Sequence, residues 1–193
     1  MKRGIQSITG DACKGIIGFS HATERVLKQY FLEHGFADDW EQIAPKRHVL
    51  LAPQQLLPPQ ERQSDVVRFC FVGGDFYRKG GAEVVAAFHI LHARGIQNWQ
   101  LTIVGNLSSW GDYASKTGPE DARRTRALIS KMGDVVVHHE KLPNEQVMAL
   151  LSSSHYLLFP TFQDTFGYVV LEAMASGCVP VVSNTRVFPE LIE

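Results

Sequence analysis

From position 66 onward the chain switches repeatedly between short apolar runs and stretches with apolar residues at helical spacing. The run at 67–72 ends in Gly73-Gly74, and 81–93 places Val84, Val85, Phe88 and Leu91 on one stripe before Gly95 stops it. A second run at 101–104 ends at Gly105 and opens into a polar loop over 106–119. The charged stretch 120–132 reads as a surface helix closed by Gly133, 135–138 as a strand, and 144–152 as a helix with Asn144 at its N-cap. A strand at 156–159 is stopped by Pro160, a helix follows over 166–176 up to Gly177, and 179–183 is the last strand. Five strands alternating with four helices predict an α/β fold whose parallel sheet is covered on both faces.

The first third follows a different pattern. Residues 15–19 and 47–51 read as short strands, and 22–34 as an amphipathic helix with Val26, Leu27, Tyr30 and Phe31 inward and Gly35 as its cap. The stretch 53–65 is rich in proline and glutamine, a linker by composition.

Bulk properties narrow the chemistry. With 193 residues, a net charge of −1 and a pI near 6.7, nothing draws the whole chain to nucleic acid or an anionic surface, so any anion is captured locally. Cys13, Cys70 and Cys178 are odd in number and scattered, which fits reduced thiols in the cytoplasm and not a disulfide frame. No apolar run is long enough to span a membrane; peripheral attachment at its inner face stays open. His89 and His92 lack a third ligand at suitable spacing, and Pro143 stands where His138-His139-Glu140 would need its second histidine, so no metal is expected. The Arg123, Arg124 and Arg126 cluster reads as a solvated helix face.

Two segments carry candidate chemistry. The turn Gly73-Gly74-Asp75-Phe76-Tyr77-Arg78-Lys79-Gly80-Gly81 enters a helix, where backbone N–H groups and two cations can meet a phosphate. It has neither P-loop order nor dinucleotide-fingerprint spacing, and a tight turn with two solvated cations is the plain alternative. The second segment runs from Asp164 across Phe166 and Gly167 to Glu172, with one carboxylate in a loop, the other two turns down a helix, and free N–H groups between them. The plain alternative makes Asp164 or Thr165 a helix cap and Glu172 a surface residue. Val169, Val170, Ala173 and Met174 around Glu172 argue instead for a carboxylate with a specific partner. If the strands at 67–72 and 156–159 are neighbours, both segments open on one crevice at the carboxyl ends of the strands.

Both segments resemble the donor-binding half of the retaining glycosyltransferases of family 4, glycosyl transferases group 1, with Asp164 in place of the first of two glutamates. The resemblance implies a Rossmann-like domain, the C-terminal half of a GT-B fold, over 66–193, a linker at 58–65, and at 1–57 a remnant of the acceptor domain with the interdomain strand. By the same resemblance, Lys79 with Arg78 holds the donor diphosphate, and Gly74 stands where the family commonly carries an arginine. Gly73, Gly74, Phe166 and Gly167 line the donor, Asp164 touches the sugar, Glu172 the ribose, and the base packs near Lys141 and Leu142. Asp164, Lys79 and Arg78 become the catalytic set, the donor a UDP-, GDP- or ADP-sugar without cofactor or metal, and the acceptor a carbohydrate or lipid-linked molecule. The short 15–35 echo of the acceptor domain leads to the expectation of a fragment or half of a split enzyme, inactive alone. A non-catalytic nucleotide-sugar-binding or assembly module and a nicotinamide oxidoreductase are the rival readings, the latter disfavoured by the missing fingerprint.

Overall fold

The structure, a computed structural model, describes residues 2–56, 62, 65–109, 117–164, 166–185 and 187–192. In chain order the elements are α1 (Lys2–Thr9), β1 (Ile16–Gly18), α2 (His21–Glu33), α3 (Ala37–Ile43), β2 (Arg47–Val49), β3 (Val67–Val72), α4 (Gly81–Ala93) and β4 (Trp99–Val104). There follow α5 (Pro119–Met132), β5 (Val136–His139), α6 (Asn144–Ser153), β6 (Tyr156–Phe159), α7 (Tyr168–Ala175), β7 (Val179–Val182) and α8 (Phe188–Leu191). They form two compact units, residues 1–53 with 186–193, and residues 54–185.

The smaller unit pairs β1 with β2 in parallel, Ile17 opposite His48, and packs Ile5, Phe31, Trp40 and Ile43 into a core beneath α1, α2 and α3. Neither α1 nor α3 was expected from sequence. Helix α2 turns a narrower face inward than its pattern suggests: Phe31 is buried and Leu27 packs on the core, whereas Val26 and Tyr30 are exposed. Its end follows the glycine rule, with Gly35 at φ 77° and the Phe36 N–H returning to the Phe31 carbonyl at 2.8 Å. Residues 187–192, read from sequence as the end of the 66–193 domain, group with this unit by their contacts. The reason is local: the Glu190 carboxylate accepts the N–H groups of His21 and Ala22 at 2.7 and 2.9 Å, closing the N-terminus of α2.

The larger unit is a five-stranded, all-parallel sheet ordered β5-β4-β3-β6-β7. The chain builds outward from β3 through β4 to β5, then returns to the other side of β3, placing Phe69 opposite Tyr156 and Cys70 opposite Leu157. With right-handed crossovers, α4 and α5 take one face and α6 and α7 the other. Phe71, Val85, Leu101, Ile103, Leu157 and Val170 are fully buried between these layers. Apolar strands that are hidden on both faces are what a parallel sheet requires.

Local chemistry adjusts several expected boundaries. Strand β4 starts at Trp99, whose indole N–H reaches the Ile96 carbonyl at 2.8 Å. Strand β5 starts one residue late because a 3-10 turn occupies Gly133–Val135. Asn144 is the first helical residue of α6, and Pro143 holds the cap position without a side-chain bond. Helix α7 begins at Tyr168 because Gly167, at φ 77°, ends a turn that precedes it. Of the expected linker, 58–61 and 63–64 lie outside the described residues, but Arg62 is tied to the carbonyls of Ser152, Ser176 and Gly177. Cys70 and Cys178 are buried free thiols, and Cys13 is half-buried. No helix among the described residues is long and apolar enough to cross a membrane.

Candidate functional site

Strand order reverses between β3 and β6, and the turns leaving these two strands carry both segments singled out in the sequence. Crevices beyond the carboxyl ends of strands at such a switch point are where open α/β sheets bind ligands. The two turns are stitched together. Gly80, at φ 81°, lies against the Pro160 backbone so closely that a Cβ would come within 2.3 Å of the Pro160 carbonyl oxygen. The Arg78 carbonyl accepts from Phe162 N at 3.1 Å, and the hydroxyl of buried Thr161 lies 3.2 Å from it. Ser183 then donates to the Thr161 carbonyl at 2.7 Å, fixing the loop from the β7 side.

Within this frame Lys79 and Asp164 meet. Lys79 Nζ is 2.5 Å from Asp164 Oδ2 and 3.3 Å from the Gln163 carbonyl, and both charged side chains are largely buried. The other oxygen, Oδ1, accepts the N–H groups of Phe166 and Gly167, each at 3.0 Å. Burial alone would raise the Asp164 pKa, but the Lys79 hydrogen bond and charge and the two N–H donors outweigh it, so the carboxyl titrates below its ordinary value. The N–H groups expected to be free at this helix start are therefore engaged by Asp164 itself. Thr165, the other capping candidate, lies outside the described residues.

Arg78 and Lys79 part company. The Arg78 guanidinium pairs with Asp75 and lines a cavity between α4 and α5, while Lys79 turns to Asp164. Gly73 is packed on the Lys79 stem, where a Cβ would lie 3.0 Å from Lys79 Cβ; Gly74 has open space around it. Lys141 and Leu142 follow β5, at the outer end of the same row of strand ends, which is held together by Gly73 N to the Val104 carbonyl and Gly105 N to the His139 carbonyl, both 2.9 Å. Glu172 is half-buried on α7, and its carboxylate has no hydrogen-bond partner among the described residues. Its pKa is raised by burial. Among the described residues no group of three or more His, Cys, Asp or Glu converges as a metal cage would. Sequence reasoning missed Thr161, Pro160 and Gly80 as the parts that join the turns; the Lys79-Gly80 step, a glycine directly before a helix, was the available signal.

Residues 54–193 match the family described as glycosyl transferases group 1. The chain belongs to this family. Over 112 residues this group 1 chain is 35% identical to a D-inositol 3-phosphate glycosyltransferase of Arthrobacter sp. (strain FB24), covering 56% of the chain and 24% of that protein. Over 110 residues it is 31% identical to an MMP alpha-(1->4)-mannosyltransferase of Mycolicibacterium hassiacum, covering 54% of the chain and 24% of that protein. The matched stretch thus spans about a quarter of these curated relatives. Among solved structures, a glycosyltransferase from Rickettsia africae superposes with a TM-score of 0.68 at 16% identity, over 100% of this chain and 51% of its own. Sucrose-phosphate synthase from Thermosynechococcus elongatus gives 0.60 at 19%, over 100% of this chain and 47% of its own. These likenesses establish the GT-B type of α/β fold.

Proposed function

We propose that this group 1 chain is the donor-binding part of a retaining glycosyltransferase of the family 4 type, using a UDP-, GDP- or ADP-sugar and passing a hexose to a carbohydrate or lipid-linked acceptor. One observation carries the reading: the Lys79–Asp164 contact, 2.5 Å long, joins the basic glycine turn and the acidic segment at the switch point of the sheet. Lys79, the cation of that contact, would neutralise the nucleoside diphosphate as the glycosidic bond breaks, with no metal assigned to that task. Glu172 would accept the ribose hydroxyls; a half-buried carboxylate lacking a described partner gains most from such donors. Asp164 would give up the Phe166 and Gly167 N–H groups to the ligand's phosphate oxygens and turn to accept from a sugar hydroxyl. The base would pack at Lys141 and Leu142. Arg78 would serve the diphosphate only by leaving Asp75, so its part is secondary to that of Lys79. The names of the relatives, an inositol-phosphate glycosyltransferase and a mannosyltransferase, support sugar transfer in general.

Calorimetry with UDP, GDP and ADP tests this. Binding of one of them by the wild type, weakened at least about tenfold in Glu172→Ala, is the expected result. Equal binding by both proteins would remove the ribose role, and no binding of any would remove the donor site.

A further inference from the structure

The cavity between α4 and α5 adjoins the turns described above and shares Arg78 with the glycine turn, but neither Lys79 nor Asp164 lines it. It measures about 490 Å³, within the span of small-molecule sites. Its walls carry Arg78 and Arg124 against Glu83 and Asp121, so no net charge selects an ion. Two of these groups are already committed, Arg78 to Asp75 and Asp121 to the Gly118 N–H at 2.9 Å. Glu83 on α4 and Arg124 on α5 thus offer an acceptor and a donor on the walls of one cavity. At the rim stands Phe162, a phenylalanine 61% exposed, held in place by its backbone bond to the Arg78 carbonyl. An aromatic face of that size left in water, beside carboxylate and guanidinium groups, suits a ligand with one apolar face and many hydroxyls. A hydroxyl both donates and accepts, so it can satisfy a guanidinium and a carboxylate in turn. The C–H face of a pyranose ring meets the negative face of an aromatic ring. A nucleotide would need an excess of cations here, and a lipid chain an unbroken apolar wall.

We propose that this groove is a saccharide-binding subsite, with Phe162 as its stacking platform and Glu83 and Arg124 as its hydroxyl partners. It stands whether or not the neighbouring crevice takes a nucleotide.

Saturation-transfer NMR on the full chain with maltotriose and mannotriose is the test. The expected result is saturation of ring C–H signals of at least one trisaccharide, weakened about tenfold or more in both Phe162→Ala and Glu83→Ala and unchanged when UDP is added. Folding of both variants is checked by thermal unfolding, and their substituted side chains lie on the surface. Absence of signal from both sugars, full signal in Phe162→Ala, or displacement by UDP would each overturn the subsite. Failure of UDP to bind would count only against the donor reading.

Discussion

Lys79 Nζ and Asp164 Oδ2 lie 2.5 Å apart although 85 positions separate them in sequence. The same carboxylate takes two N–H groups of its own turn, those of Phe166 and Gly167. Asp164 is thus the counter-ion of Lys79, and under the donor-site proposal an entering diphosphate would compete with it.

Replacing Asp164 by Asn separates two effects. The variant loses the ion pair between largely buried groups and is destabilised by about 3 kcal/mol, at the low end for breaking a buried pair. Yet inorganic pyrophosphate should bind roughly tenfold more tightly, because Lys79 no longer has an anionic partner. The pH dependence has a definite sign. A carboxyl whose folded pKa is depressed contributes stability above its unfolded value of about 3.9, and that stability is lost as pH falls through the folded value. Thermal unfolding of wild type and Asp164→Asn should differ most near neutrality and converge in strong acid.

Glu172 has the opposite sign. Burial raises its folded pKa, so ionising it costs stability as pH rises through the window between unfolded and folded values. Glu172→Gln should therefore melt higher than wild type at neutral pH, with the gap closing as pH falls below the usual glutamate range. A ribose hydroxyl donating to Glu172 would favour the ionised form and release a proton. Calorimetry of UDP binding in two weakly acidic buffers of different ionisation heat should show that release in wild type and less of it in Glu172→Gln.

The alternation of apolar runs and helical stripes made the larger unit legible, because buried parallel strands need continuous apolar side chains and their helices need one-sided ones. Lys79-Gly80 and the Asp164–Glu172 spacing were legible for a similar reason: both sit where a strand hands over to a helix. Arg78 was not. Adjacent residues on a turn can leave on different sides, and proximity in sequence made a pair of two cations whose partners, Asp75 and Asp164, are distinct. The capture of the Phe166 and Gly167 N–H groups was equally hidden, since a glutamate or aspartate before a helix can cap it or reach out. Helix α1, MKRGIQSITG in its surroundings, offers only Ile5 and Ile8 to a core supplied mainly by distant Phe31 and Trp40.

Gly80 and Gly74, both on the turn after β3, lead to contrasting expectations. Gly80 combines φ 81° with a Cβ position 2.3 Å from the Pro160 carbonyl, so Gly80→Ala must push the turns apart. A loss of about 2–3 kcal/mol and of pyrophosphate binding is expected, since backbone strain and overpacking add. A Cβ added at Gly74 would meet no heavy atom within 4 Å beyond its chain neighbours. Gly74→Ala should leave the melting temperature near that of wild type, and Gly74→Arg should bind pyrophosphate more tightly by placing a second cation at the crevice.

Arg62 provides a test of structure within a stretch whose composition suggests only a linker. Its Nε donates to the Ser152 carbonyl at 3.1 Å, and its two terminal nitrogens reach Gly177 and Ser176 at 2.5 and 2.9 Å. These carbonyls lie at the C-terminal ends of α6 and α7, where the helix dipole is negative and backbone oxygens lack helical partners. One planar guanidinium therefore closes two helix ends at once, with three charge-assisted bonds. Arg62→Ala should lower stability by about 2–4 kcal/mol, from bonds to a charged group worth about 1.5–3 kcal/mol each before water replaces part of the loss. Lys should rescue little of it, because a single ammonium on a flexible stem cannot reproduce the fork. Denaturant unfolding of the three proteins measures this directly; an Arg62→Ala midpoint equal to wild type would return the segment to the status of a plain tether.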